Sequence, residues 1–251
     1  MLDTHNHPLH NWGIKPVLFH FGNFTLYSYP TFITLAIITG FLSYFLYYRK
    51  YQKNQNENSI LVILFGFMGS ILGAKIPIWI LYYKQILENF PNIGVILSGR
   101  TITGGLIGGV ISMKLAKKKF GINKRIGNAL VPSILLGMMV GRIGCFLRGC
   151  CYGKPTDLPW GVDFGDNIQR HPTQIYEIIF LAILFIYSHS LLKKNPNDGI
   201  LFDNFLLLYF TFRFFIEFIR IEDKLWLNLT LFQYISIIVI IYVLSKKVIK
   251  K

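Results

Sequence analysis

Arg142 lies within Val131–Leu147, an otherwise apolar run with the composition of a membrane span, and Arg213 lies within a second one, Leu206–Ile216. Placing a guanidinium at bilayer depth costs about 2.5 to 3.5 kcal/mol or more, so each needs a partner. A planar fork of five N–H donors that cannot lose its proton suits a carboxylate or the phosphate of an anionic head group. Arg213, Glu217 and Arg220 stand at i, i+4 and i+7, on one helix face, with Tyr209 one turn earlier. Two accounts fit that stripe. In one, Glu217 and the arginines form a structural salt bridge. In the other, a single carboxylate faces Arg142, Arg213 and Arg220, and the surplus positive field holds an anion. Lys75, in Leu72-Gly-Ala-Lys-Ile-Pro-Ile78, either adds to that field or snorkels.

The elements that position these residues are membrane spans. The chain has 251 residues, 53% of them hydrophobic, which is too apolar for an ordinary soluble domain. Its length allows about seven spans of roughly 20 residues. Apolar runs fall near Tyr29–Tyr48, Ile60–Tyr83, Ile102–Leu115, Leu130–Leu147, Thr173–Leu192, Leu201–Ile219 and Leu229–Leu244. The expected fold is therefore all-α and polytopic, with seven helices around a central lipid-binding cavity, and residues 1–251 form a single integral membrane domain. The net charge of +14 lies in short clusters between apolar runs and not along one soluble face, so no nucleic-acid partner is expected. Fifteen Lys and Arg flank one side of the spans and eight the other. By the positive-inside rule the amino terminus faces outward, the carboxyl terminus is cytoplasmic, and residues 1–28 and 148–172 are extracytoplasmic.

The start, Met1-Leu-Asp-Thr-His-Asn-His-Pro-Leu-His10, has no basic stretch followed by an apolar core, so no cleavable signal peptide is expected. His5, His7 and His10 read as solvated and receive no role. Glycines four apart (Gly69 and Gly73, Gly104 and Gly108, Gly105 and Gly109, Gly137 and Gly141) fit close helix contact in lipid. In Gly104-Gly-Leu-Ile-Gly-Gly109 they also suit the approach of backbone amides to a head group.

Gly141-Arg-Ile-Gly144, Gly149-Cys-Cys-Tyr-Gly153 and Arg170-His-Pro-Thr-Gln-Ile-Tyr-Glu177 follow one another in the order found in the prolipoprotein diacylglyceryl transferase family, which this chain resembles. Gly104-Gly-Leu-Ile-Gly108, Phe212-Arg213, Ile216-Glu-Phe-Ile-Arg220 and Tyr27-Ser-Tyr29 extend the resemblance from about Tyr27 to Gln233. It implies a bacterial inner-membrane enzyme. Such an enzyme moves the diacylglyceryl group of phosphatidylglycerol to the lipobox cysteine of a prolipoprotein signal peptide, forming a thioether and releasing glycerol phosphate. The resemblance makes Arg142 and Arg213 catalytic, because fixed guanidiniums in a low-dielectric pocket stabilise a departing phosphate without reorganising. The expected substrate-binding set is Thr103, Gly104, Gly105, Gly153, Gln174, Glu177, Glu217 and Arg220, with Gln174 and Glu177 facing the cavity. No cofactor is implied.

Family members of the best-known type have a histidine where this chain has Thr103 and an asparagine where it has Cys145; Arg148 and Cys150 also depart from the pattern. Threonine cannot act as a general base near neutral pH. The base role passes to His171 or the Tyr29 phenol, and His171 is equally readable as a residue fixing the entry to the fifth span. Cys145, Cys150 and Cys151 match none of the common zinc spacings, so they read as packing residues and no metal is assigned. The Tyr152–Asp166 loop, with Trp160 and Phe164, reads as an interfacial cap or as a guide for the precursor peptide. Two further readings remain: a transferase with the same lipid and another acceptor, and a lipid or anion carrier. The chain lacks the internal repeat expected of a carrier.

Overall fold

The computed structural model describes residues 12–22, 24–51, 58–97, 99–122, 127–194 and 199–248. His5, His7 and His10 lie outside them. In chain order the elements are β1 (Val17–Phe21), β2 (Phe24–Tyr27), α1 (Ser28–Tyr51), α2 (Asn58–Gly73), α3 (Ile76–Leu81), α4 (Tyr83–Glu88), α5 (Ile93–Leu97), α6 (Ile102–Lys119), α7 (Leu130–Arg148), β3 (Val162–Asp163), β4 (Gln169–Arg170), α8 (Thr173–Lys193), α9 (Ile200–Ile216) and α10 (Leu231–Val248). Among the described residues, five segments are long and apolar enough to cross a bilayer: α1, the stretch Ile60–Leu81 through α2 and α3, α7, α8 and α10. α6 and α9 stand where the third and sixth spans are expected. α6 carries four lysines in its last six residues, and α9 has 17 residues. The apolar side chains of α1 explain the preference for lipid: Ile38, Leu42, Phe45 and Leu46 are exposed, a surface that water would penalise.

The described residues divide into two compact units, one within residues 58–122 and the other within residues 12–51 and 127–248. In the first, α2 lies along α6 at a distance that only glycine allows. A Cβ on Gly73 would stand 2.5 Å from the Gly104 carbonyl oxygen, and one on Gly108 2.3 Å from that of Gly69. The expected second span is broken at Ala74 and Lys75, because Pro77 at the start of α3 has no N–H to continue the helix. Lys75 donates from Nζ to the Gly99 carbonyl at 2.9 Å. Thr101 caps α6 by accepting from the Gly104 N–H at 3.3 Å.

In the second unit α7 is flanked by α1 and α8, and α9 runs beside α10. A Cβ on Gly144 would stand 2.7 Å from Phe32 Cβ, so glycine again sets the approach of α1 to α7. Phe180 of α8 stacks on Phe212 of α9 with ring centroids 4.1 Å apart. The all-α expectation holds, with two short antiparallel hairpins added, β1 with β2 and β3 with β4. The β3–β4 loop has its own small core of Trp12, Tyr152 and Phe164, and Trp12 Nε1 donates to the Gly149 carbonyl at 2.7 Å. Its turn is set by Asp163, which accepts the backbone N–H groups of Gly165, Asp166 and Asn167.

Candidate active site

The second unit brings the charged residues of four segments together. α7 supplies Arg142, α8 Glu177 from its second turn, α9 Tyr209 and Arg213, and the segment after α9 Glu217, Arg220 and Glu222. Arg142 Nη2 meets Glu177 Oε2 at 2.7 Å, and Arg213 Nη1 lies 3.9 Å from the same oxygen. Tyr209 donates its hydroxyl to Glu177 Oε1 at 3.1 Å. Arg213 Nη2 lies 2.5 Å from Glu217 Oε1, Arg220 Nε 3.2 Å from that oxygen, and Arg220 Nη2 2.9 Å from Glu222 Oε1. Signs therefore alternate along a line from Arg142 to Glu222. Arg142, Glu177, Arg213, Glu217 and Arg220 are all buried, none above 6% exposed.

This arrangement corrects the expectation that one carboxylate faces three guanidiniums. Glu177 and Glu222 join Glu217, so three acids oppose three bases and the formal charge of the set is zero. The physical reason is topological: α8 and the post-α9 segment each deliver an acid that the stripe on α9 does not reveal. Hydrogen-bonding capacity is not balanced in the same way. Among the described residues, Arg142 Nε, Arg213 Nε and Nη1 and Arg220 Nε are buried without a hydrogen-bond acceptor. Each buried donor left so costs about 1 to 3 kcal/mol, and an oxyanion beside them would supply the missing acceptors.

Neighbouring side chains hold the line in place. Thr230 and Gln233 form the capping box of α10: Thr230 N–H donates to Gln233 Oε1 at 2.9 Å, and Gln233 N–H to Thr230 Oγ1 at 3.2 Å. The Thr230 hydroxyl donates onward to Glu217 Oε2 at 3.1 Å. Thr-x-x-Gln is visible in the sequence as a helix start, but its link to Glu217 is not. Phe232 places its ring 5.2 Å from the Arg213 guanidinium carbon. Gln174 donates to the Cys150 carbonyl at 2.6 Å, and Arg220 Nη1 to the Cys151 carbonyl at 3.0 Å. Gly153 bridges to Arg220 across a single antiparallel pair, and a Cβ there would meet the Ile219 carbonyl oxygen at 2.7 Å. Glu222 lies beyond the spans; burial pushes its carboxyl up from the usual range, and Arg220 pulls it down.

The other expected site residues have different surroundings. His171 Nδ1 pairs with the Tyr176 hydroxyl at 3.2 Å, and that hydroxyl accepts the Trp160 indole N–H at 2.8 Å. Tyr29, at the start of α1, lies under the Arg148 guanidinium at 5.0 Å. Arg170 is gripped by both Asp166 oxygens at 2.5 and 2.6 Å and lies over the rings of Trp12 and Tyr152. Its hydrogen bonds to Asp166 raise its pKa further above the ordinary arginine value. Thr103, Gly104 and Gly105 belong to the first unit. There Gly104 is packed against the Gly73 carbonyl, a Cβ on Gly105 would meet Ser70 and Ala74, and the buried Thr103 hydroxyl has no hydrogen-bond partner among the described residues. Cys145, Cys150 and Cys151, read from their spacing as packing residues, have sulfur atoms all within 4.8 Å of one another.

Fold and charge arrangement together define a multi-pass α-helical membrane protein with a buried arginine and glutamate centre. The family model for prolipoprotein diacylglyceryl transferase matches residues 16–248. The chain is 36% identical over 238 residues to the phosphatidylglycerol-prolipoprotein diacylglyceryl transferase of Clostridium tetani, covering 91% of this chain and 94% of that one. It is 33% identical over 245 residues to the protein of the same name from Dehalococcoides mccartyi, covering 91% and 90%. The chain belongs to the prolipoprotein diacylglyceryl transferase family.

Proposed function

We propose that this protein transfers the diacylglyceryl group of phosphatidylglycerol to the thiol of a lipobox cysteine in a prolipoprotein signal peptide. One observation carries the reading: in a chain of this family, the buried guanidiniums of Arg142 and Arg213 converge on Glu177 with N–H groups to spare. The lipid phosphate accepts from those N–H groups. The acceptor sulfur forms a bond to the terminal glycerol carbon, that carbon's bond to the phosphate oxygen breaks, and glycerol phosphate leaves with the electron pair. Charge on the leaving phosphate rises along this path, and donors already aimed at it favour the transition state over the ground state. Glu177 and Glu217 hold the two arginines apart and in register, while Tyr209 and Thr230 hold the carboxylates.

His171 and Tyr29 remain the candidates for the group that takes the thiol proton. His171 is fixed through Tyr176, and Tyr29 lies beneath Arg148. The distribution of Lys and Arg supports a topology with the amino terminus outside and the carboxyl terminus in the cytoplasm, and the match of residues 16–248 to the family supports one functional domain in the bacterial inner membrane. Purified protein incubated with labelled phosphatidylglycerol and a lipobox peptide tests the reading. The expected product is a peptide carrying the label through a thioether, absent with Arg142→Met or Arg213→Met. Unlabelled peptide in the presence of bound lipid would instead point to another acceptor.

A further inference from the structure

The cysteine cluster lies beside the arginine centre, with Cys145 Sγ 3.9 Å from Arg142 Nη1. Cys145 is in the last turn of α7. The helix ends at Gly149, whose left-handed backbone (φ 72°) turns the chain back, and Cys150 N–H then bonds to the Cys145 carbonyl at 3.0 Å. Cys151 is also left-handed, at φ 65°, a conformation that strains a residue bearing a Cβ. Its carbonyl is pinned by the Thr173 hydroxyl at 2.5 Å and by Arg220 Nη1 at 3.0 Å, while Gln174 pins that of Cys150. Such strain, about 1 to 3 kcal/mol, persists where the surroundings enforce it, and it gathers at functional sites. In this conformation the turn brings three sulfurs within 4.8 Å of one another.

We infer that Cys145, Cys150 and Cys151 bind a zinc ion through three sulfurs, with the fourth position open to the thiol of the acceptor peptide. The sulfurs lie within 4.8 Å of one another. Zinc–sulfur bonds of about 2.3 Å in a tetrahedron place sulfurs roughly 3.8 Å apart, so the cluster closes by about 1 Å at most. All three thiols are free, and Cys145 and Cys150 are buried. Zinc with three thiolates carries one negative charge, and Arg142 Nη1 stands 3.9 Å from Cys145 Sγ to oppose it.

The inference rests on the thiol-transfer reading above and supplies what Thr103 cannot. A thiol on zinc gives up its proton to the base more readily, because the cation stabilises the thiolate. The zinc-held sulfur then attacks the glycerol carbon, and the departing phosphate takes the electron pair of the carbon–oxygen bond. No oxidant or reductant enters, and zinc keeps its charge. Arg142 touches both the sulfur cluster and the carboxylate centre, so nucleophile and leaving phosphate meet at one guanidinium.

The test uses the full chain in detergent. Elemental analysis is expected to find one zinc per chain, lost in a Cys145→Ser, Cys150→Ser, Cys151→Ser variant and kept in Thr103→Ala. Cobalt loaded in place of zinc is expected to show thiolate charge-transfer absorption that grows on adding lipobox peptide and does not respond to a Cys→Ser peptide. Chelation is expected to slow transfer roughly a hundredfold, the scale of losing proton-transfer catalysis, with zinc restoring it. Absence of zinc from the wild-type chain, a disulfide in the cluster, or a cobalt spectrum blind to the peptide would overturn the inference. Full transfer by zinc-free protein overturns the metal's role and leaves the transferase reading standing. A peptide-responsive cobalt spectrum without labelled product overturns the transferase reading and leaves the metal site.

Discussion

Replacing Glu177 by Gln removes the negative charge that Arg142 and Arg213 share. Two unit charges about 4 Å apart interact by about 4 kcal/mol at an effective dielectric of 20, and breaking a buried pair by removing one partner costs about 3 to 5 kcal/mol. The Arg142 contact is shorter at 2.7 Å, and Glu177 is 1% exposed, so Glu177→Gln is expected at the upper part of that range. Arg142→Met alone strands the carboxylate and costs a similar amount, because Arg213, at 3.9 Å, compensates only in part. The double variant strands neither charge, so its stability is expected to recover to within about 2 kcal/mol of wild type, a strongly non-additive cycle. Transfer activity does not recover, since Arg142 is also needed for the phosphate. The assay is thermal unfolding in detergent for all four proteins beside the peptide-labelling reaction. Single losses that simply add in the double variant would refute the ion pair, and a double variant with restored turnover would refute the phosphate role.

Three further outcomes follow from the same geometry. Gly108→Leu forces a side chain into the Gly69 carbonyl and is expected to destabilise the α2–α6 pair by more than the 1 to 3 kcal/mol typical of overpacking, read as early loss of protection in hydrogen exchange of residues 58–119; unchanged protection counts against the close approach. Asp166→Asn weakens the clamp on Arg170 and is expected to increase proteolysis within residues 152–170 while leaving the α7–α8 pair folded; an unchanged cleavage pattern removes the clamp's role. His171→Ala is expected to slow transfer while leaving phosphatidylglycerol bound, and an unchanged rate assigns the base elsewhere.

The spans were legible because a run of apolar residues long enough to cross a bilayer is hard to satisfy any other way. The expected bounds of the fourth and fifth, Leu130–Leu147 and Thr173–Leu192, differ from α7 and α8 by one residue. Pro77 announced the break after α2, but an average over twenty residues masks it. Arg142, Arg213, Glu217 and Arg220 stood out because charge in an apolar run is conspicuous. Glu177 was visible as a companion of Gln174, yet its role as the acceptor shared by two arginines depends on how α7, α8 and α9 pack. Glu222 lies in a polar loop where an acid draws no attention. The cysteines show the limit most clearly: a left-handed Cys151 joins sulfurs one and six residues apart, and no spacing rule contains that turn.

The central claim is that buried N–H groups on Arg142 and Arg213 hold the lipid phosphate. Native mass spectrometry of the detergent-purified chain, exchanged into an equimolar mixture of phosphatidylglycerol and phosphatidylcholine, tests it directly. The account predicts preferential retention of phosphatidylglycerol by the wild-type chain, lost in a folded Arg142→Met, Arg213→Met variant. Equal retention of phosphatidylglycerol by both proteins would contradict it.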